Sequence, residues 1–524
     1  MNFSATGVQE YPWRIPDGWA WTTMGDVSQV VGGGTPATSD LTNFDGGSIP
    51  WITPADLSGY SDKYIAGGAR NITQKGLECS GARLMPAGTV LFSSRAPIGY
   101  VAIASRPMST NQGFKSFVLN EGLDPDYVYH YLKRAKELAL DLASGTTFLE
   151  ISGAKAAQIA IPIAPHDEQR RIVAEIEKQF SRLDAAVAAL KRAQANLCRY
   201  RASVLKAACE GQLVPQDPND EPATKLIERV LSERQATSKL PLLTGTRITG
   251  RTRDAELPTL PPGWVWARWE QVGSSQNGRA FPSSEYRSAG VRLLRPGNLH
   301  ANGRVVWTDE NTRYMPERWE EENPQFVVGP NELVINLTAQ SLRDAFLGRV
   351  CMTGPEDRCL LNQRIARLTP VGLDRKYLLW MFKSEVFRKF VNSLNAGSLI
   401  QHMFTSQLAH FRLPVPPLPE QHRIVAEVER RLSVVDELET AVEANLKRAE
   451  RLRQAILKRA FEGRLVPQDP ADEPATVLLE RIRAQRIAPD AGSPAGRPRR
   501  RAKPRVRKTA AVQYSQSMPE ESAP

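Results

Sequence analysis

The sequence predicts an α+β protein: two mixed α/β domains separated by a pair of long antiparallel coiled-coil helices, made by tandem duplication. Three observations lead there. Residues 168–230 recur without a gap as residues 420–482, both copies sharing the run Leu-Val-Pro-Gln-Asp-Pro. Each copy carries apolar side chains every seventh residue. The region before each copy alternates short apolar runs with Gly and Pro.

The repeat comes first because it decides the architecture before any element is assigned. Fainter echoes precede it: Pro16-Asp17-Gly18-Trp19-Ala20-Trp21 returns as Pro261-Pro262-Gly263-Trp264-Val265-Trp266, and Asn111-Gln112 as Asn362-Gln363. Gly145-Thr146 returns as Gly397-Ser398, and Ile161-Pro162 as Leu413-Pro414. The chain therefore parses into a first globular domain (10–165), a long helix with its connector (166–234) and a linker (235–259). A second globular domain (260–417), a second helix with connector (418–486) and a basic tail (487–524) follow. The Ser/Thr/Arg-rich linker lacks periodicity, and the tail's charge run predicts disorder.

In the first copy Ile176, Leu183, Leu190, Leu197 and Val204 form one heptad series. Ile172, Gln179, Ala186, Ala193, Tyr200 and Ala207 are taken as the other. The second copy matches with Val428, Val435, Val442, Ala449 and Ile456, and with Ile424, Arg431, Leu438, Asn445, Leu452 and Arg459. A sustained seven-residue repeat argues for coiled-coil packing, with the polar members tuning register. Pro165 and Pro417 mark the starts, and Gly211 and Gly463 the stops. About 43 helical residues would span roughly 65 Å. The pair should pack antiparallel and hold the globular regions at opposite ends of a rod. Strands are expected at the runs beginning Thr89, Tyr100 and Glu332, and helices over 127–143 and 374–394.

Composition narrows function. The net charge of +11 favours a polyanionic partner, although 489–524 holds eight basic and three acidic residues and so nearly half of that excess. No apolar stretch is long enough to span a bilayer, so a cytoplasmic protein is expected. Five cysteines without a CxxC pair read as free thiols, and Cys351 and Cys359 as ordinary thiols rather than metal ligands. No phosphate-binding Gly-Lys loop and no His-Glu-x-x-His pair occurs, and Asn323-Pro324-Gln325-Phe326 only partly matches an amino-methyltransferase motif. No catalytic residue, metal site or cofactor is assigned to this chain.

The pieces together resemble the specificity subunit of a type I restriction–modification enzyme. The resemblance rests on Gly33-Gly34-Thr35-Pro36, Thr110-Asn111-Gln112-Gly113-Phe114 and Ser144-Gly145-Thr146-Thr147. It also rests on the junction Pro165-x-x-Glu168-Gln169-Arg170-Arg171-Ile172-Val173 and its echo Pro417-Leu418-Pro419-Glu420-Gln421-His422-Arg423-Ile424-Val425. The second half departs from it. Gly-Gly-Thr-Pro has no counterpart near residue 277, and Arg364 replaces the glycine after Asn362-Gln363. The resemblance implies a non-catalytic subunit that binds double-stranded DNA at a bipartite, asymmetric target. It further implies two modification (methyltransferase) subunits as partners, with two restriction subunits able to join. S-adenosylmethionine, Mg2+ and ATP would then serve other subunits. A stand-alone DNA-binding regulator with two reading domains is the alternative.

Base edges are read by Arg, Asn and Gln, while phosphates position. The loop-like candidates in the first half are Thr35, Ser93, Ser94, Arg95, Asn111, Gln112 and Lys115. In the second half they are Arg279, Arg287, Arg295, Asn298, Gln340, Ser341, Arg343, Asn362, Gln363 and Arg364. The Asn-Gln pairs could instead close a turn. Arg171, Ile172 and Glu175, with Arg423, Ile424 and Glu427, offer two equivalent helix surfaces for two copies of the modification subunit. Inserting one heptad in both helices is expected to lengthen the preferred unread spacer; an unchanged spacer in a methylation map would count against the strut.

Overall fold

The computed structural model describes residues 11–95, 97–144, 149–237, 258–340, 345–394 and 401–487. Ser341 and Arg343, the Gly145 and Gly397 segments, most of the linker and all but the first residue of the basic tail lie outside these. Six helices carry the architecture: α1 (Pro125–Arg134), α2 (His166–Cys209), α3 (Ala223–Thr237), α4 (Arg375–Lys383), α5 (Leu418–Phe461) and α6 (Ala475–Ile487). The chain divides into two compact units, and neither is continuous with the linear parse. One comprises Met1–Lys178 with Gln454–Pro524; the other is Gln179–Arg453.

The first unit holds a five-stranded sheet in the order Ser28–Gly32, Lys115–Leu119, Val90–Phe92, Val101–Ala104, Tyr64–Ile65. A three-stranded sheet, Arg70–Ile72, Ile49–Ile52, Ser109–Thr110, stands beside it. Ala20–Thr23 pairs antiparallel with Ala160–Ile163. The second unit repeats the plan. Its main sheet runs Gly273–Asn277, Ile365–Pro370, Leu333–Asn336, Val350–Met352, and its second sheet Tyr314–Met315, Val291–Leu294, Cys359–Leu361, Val327–Val328. Val265–Arg268 pairs with Arg412–Val415 as the first pair of the other unit does. Cys351 and Cys359 are buried in this core, where burial pushes both thiols up, Cys351 to about 12. The expected strands are present; the helix expected over 374–394 breaks at Ser384, whose hydroxyl donates to the Met381 carbonyl at 2.6 Å.

Both long helices end as their glycines require. Gly211 and Gly463 adopt φ of 68° and 66°, and the next residue's N–H reaches back to the Ala207 or Arg459 carbonyl. Their starts explain the repeated Glu-Gln. Glu168 and Glu420 are buried and accept the indole N–H of Trp19 (2.9 Å) and Trp264 (3.0 Å). Gln169 and Gln421 are buried too. Each donates to a carbonyl before its helix and accepts the main-chain N–H of Asp124 or Asp374, the residues preceding α1 and α4. One polar dipeptide thus bolts each long helix to a domain.

Within the second unit α2 and α5 run antiparallel. Arg201 pairs with Asp436 (2.5 Å) and Glu439 (2.9 Å), whereas Asp184, nearer the start of α2, pairs with Arg453. Val204 and Leu205 join Val428, Leu432 and Val435 in one apolar cluster. The second heptad series differs from the expected one. Leu432 is buried, while Leu438 and Leu452 are 48% and 49% exposed. Buried positions therefore alternate by four and three residues from Val428, through Leu432 and Val435, and the seam's polar members are Arg201, Glu439 and Arg453. Leucines stand on both candidate faces, so apolar spacing alone could not choose. Leu432→Ala is expected to cost about 2–5 kcal/mol, against near zero for Leu438→Ala, as read from urea midpoints.

Candidate nucleic-acid interface

At one end of the first unit's five-stranded sheet, Gly32 pairs with Lys115, after which the chain turns across the Thr110–Asn111 backbone. Gly33 N–H donates to Phe114 O (3.4 Å) and Gly34 N–H to Thr110 O (2.9 Å). A Cβ on Gly33 would overlap the Asn111 carbonyl, and one on Gly34 the backbone of Gly81–Ala82. Both glycines are needed for this close approach. Asn111 closes the opposing turn, its side-chain oxygen accepting Gly113 N–H at 2.9 Å. Ser94 N–H donates to Gly113 O at 2.7 Å and brings in the 93–95 segment.

Thr35, Arg95, Gln112 and Lys115 are thereby gathered. The Thr35 hydroxyl bonds the Gln112 amide oxygen, and Arg95 and Lys115 lie 3.8 and 3.6 Å from Glu150. Glu150 was not anticipated, because its partners sit far away in sequence. The nearby turn of Thr53 and Asp56 was missed as well. Burial raises the Asp56 carboxyl, but bonds from the Thr53 hydroxyl and the Ala69 and Thr53 N–H groups outweigh it and hold it below its ordinary value.

The second unit rebuilds this end with other side chains. Gly278 N–H donates to Ile365 O and Arg279 N–H to Leu361 O, both at 2.9 Å, and a Cβ on Gly278 would overlap the Asn362 carbonyl. Gly-Gly-Thr-Pro as a whole has no counterpart here, but its first position does: Gly278 does the work of Gly33. Arg364 N–H bonds the Asn362 side-chain oxygen at 3.4 Å, repeating the Asn111 turn. Asn298 accepts Arg295 N–H at 2.8 Å, as Asp56 accepts Thr53 N–H at 2.7 Å. The shared signal was a proline and leucine spaced alike in Thr53-Pro54-Ala55-Asp56-Leu57 and Arg295-Pro296-Gly297-Asn298-Leu299.

Several candidates are withdrawn because burial removes them from any ligand. Ser93 is fully buried, its hydroxyl donating to Pro97 O (2.7 Å) and accepting Tyr100 N–H (2.8 Å). Ser94 is fully buried, and Asn298 is 1% exposed with its amide spent on its own loop. Asn111 and Asn362 are turn-closing. Ile172 and Ile424 are buried, so they offer no helix surface. Arg171 and Arg423 pair at 2.5 Å with Asp472 and Asp220 of the connectors, each 9% exposed. Glu175 pairs with Lys178, and Arg430 and Arg431 hold the Glu427 carboxyl down at about 2. Gln112, Arg279, Gln340, Gln363 and Arg364 are exposed. Arg287 is exposed beside Tyr314 of the second sheet. Asn323, of the partial methyltransferase motif, is buried and accepts the Arg279 guanidinium while donating to Trp319 O. Among the described residues no His, Cys, Asp and Glu group could hold a metal, and no helix is long and apolar enough to cross a membrane.

Burial raises the Glu420 carboxyl above its ordinary 4.5, only partly offset by Trp264 and Arg423, with Asp220 adding to the rise. A raised folded-state value means stability present at low pH and lost as pH climbs through it. Glu420→Gln is therefore expected to match the wild type near about pH 4 and to lose less stability above it, in urea midpoints measured against pH.

The family described as type I restriction modification DNA specificity domain matches twice, over residues 16–194 and 261–448, more than half of the chain. The MjaIX specificity subunit of Methanocaldococcus jannaschii is 42% identical over 161 residues, which are 30% of this chain and 37% of that relative. The EcoAI specificity subunit of Escherichia coli is 28% identical over 294 residues, 54% of this chain and 49% of that subunit. The chain thus spans less than half the length of each of these two. A chain from a solved structure on complex assembly and conformational transition of the type I R-M system matches with TM-score 0.60 and 20% identity. That match covers 86% of this chain and 100% of the other, which establishes the fold. With the fold, both turn-bearing sheet ends and the twice-matched domain in place, the chain belongs to the type I restriction–modification DNA specificity subunit family.

Proposed function

We propose that this chain is the DNA-reading subunit of a type I restriction–modification complex, selecting a bipartite, asymmetric target and recruiting methyltransferase subunits, with restriction subunits able to join. One observation carries it. The same backbone turn, Gly33 against Asn111 and Gly278 against Asn362, is built twice and dressed with different side chains. A conserved frame bearing unlike polar groups is what two different half-sites need. S-adenosylmethionine, Mg2+ and ATP are assigned to the partner subunits. The exposed face of α5 bearing Val434, Leu438 and Leu452 suits a helical partner.

The test combines the chain with the methyltransferase subunit and a pool of duplexes holding two randomised blocks. Enrichment of a split target, with retention falling steeply as salt rises, supports the reading. Enrichment by the chain alone, with no methyltransferase subunit held, favours a stand-alone regulator. No enrichment in either case overturns DNA reading.

A further inference from the structure

We infer that the second unit reads guanine, through Arg279 and Arg295, with Arg364 neutralising a neighbouring phosphate. This rests on the DNA-reading function proposed above. At three equivalent positions of the two sheet ends, the second unit has arginine where the first has none. Gly34 and Arg279 make the same bond, main-chain N–H to the carbonyl of Thr110 or Leu361. Gly113 and Arg364 donate alike to the side-chain oxygen of Asn111 or Asn362. Thr53 and Arg295 donate alike to Asp56 or Asn298. Two carboxylates vanish across the same comparison. Asn298 replaces Asp56, and His402, paired with Thr338, stands where Glu150 pairs with Arg95.

The three arginines belong to one patch. Arg279 is bridged to Asn362, and Asn362 N–H donates to Leu294 O, next to Arg295, at 3.3 Å. Among the described residues no carboxylate pairs with any of the three. Two are held. The Arg279 guanidinium lies 5.1 Å from the centre of the Trp319 ring, with Nη1 on the buried Asn323 amide oxygen. Its Nε–Nη2 edge makes no bond among the described residues. Arg295 lies over Tyr286 at 5.9 Å. The first unit sets Arg70 over the equivalent ring, Phe44, at 4.4 Å, so there the cation comes from a different strand.

A guanidinium fixed on an aromatic face presents its fork at a set angle, which suits the paired O6 and N7 acceptors of guanine in the major groove. Phosphate needs only charge, and the exposed Arg364 has no such platform among the described residues. At the equivalent turn the first unit carries Thr35, Gln112 and the Glu150-bound Arg95 and Lys115, and its ring-held guanidinium, Arg70, comes instead from the strand Arg70–Ile72.

Arg279→Gln, Arg295→Gln and Arg364→Gln chains, each with the methyltransferase subunit, are tested on the pool with two randomised blocks. Arg279→Gln and Arg295→Gln should each erase one guanine preference, roughly 10- to 100-fold, in the same half-site and spare the other half-site. Arg364→Gln should weaken all sequences alike and flatten the log–log salt slope by about one. The assignment is overturned if that half-site lacks guanine, if selection survives both changes, or if they weaken every sequence equally. A wild-type chain that enriches nothing overturns the DNA reading itself. Thermal unfolding accompanies each variant. Should Arg279→Gln unfold, Arg279→Lys, which keeps the charge at Trp319, takes its place with the same predicted loss of guanine.

Discussion

Gly33→Ala should destroy target selection by the first unit while the second unit keeps its own. The added Cβ would overlap the Asn111 carbonyl, and that oxygen belongs to backbone fixed on both sides. Asn111 N–H donates to Ile52 O at 2.9 Å, and Asn111 also closes its own turn. Neither strand can yield without breaking main-chain bonds, so the change falls among the severe ones, about 3–5 kcal/mol. Gly278→Ala should do the same to the second unit, whose Cβ would meet Asn362. A methylation map of each variant checks this: one half-site should blur in Gly33→Ala and the other in Gly278→Ala. If both half-sites blur together, the units do not read independently.

Phe461→Ala carries the second large effect. Phe461 ends α5 fully buried in the first unit, edge-on to Tyr127 and Tyr131 with ring centres 5.1 Å from each. Those tyrosines donate to the Pro162 and Ala160 carbonyls, so they hold still and the hole cannot close. The loss should be about 3–5 kcal/mol, which moves the first unit's urea midpoint down by about 1–2 M. The second unit's transition should stay in place. In the second unit the equivalent pair is Cys209 with Met381, sulfur to sulfur at 3.5 Å. Phe461→Cys should therefore be nearly as damaging as alanine, since Tyr131 does not follow it as Met381 follows Cys209.

That exchange shows why the chain's division into units was hidden. The linear parse set each long helix and its connector apart as segments of their own and did not say which domain they serve. In the structure the end of α5 and all of α6 belong with the first domain: Trp13 donates to Phe461 O at 2.8 Å, and Ala475 N–H to Gly18 O at 2.8 Å. Likewise α3 belongs with the second domain, where Ala223 N–H donates to Gly263 O at 2.8 Å. The two copies are so alike that their sequences cannot say which domain each end serves. Only the fit of Phe461 to Tyr131, or of Cys209 to Met381, decides.

The candidate residues divide in the same way. Types were readable: Gly33, Asn111, Gln112, Arg279 and Arg364 all fall at the two sheet ends. Burial was not, so Ser93, Ser94 and Asn298 looked like readers, although Ser93 and Asn298 spend their polar atoms on their own loops and Ser94 is fully buried. Trp319 and Glu150 were invisible because each meets its arginine only after distant segments pair, and Tyr286 because no periodic pattern links it to Arg295 across the strand Val291–Leu294.

Local pattern by itself determined the duplication, the two long helices with their glycine stops, and the mixed sheets. Each depends on spacing along the chain, and the hydrophobic effect makes spacing legible. Tertiary structure alone decided the face on which α2 and α5 meet, the domain that each helix end serves, and the company each arginine keeps. Those choices turn on side-chain volume and on bonds between residues far apart in sequence, and neither leaves a periodic trace.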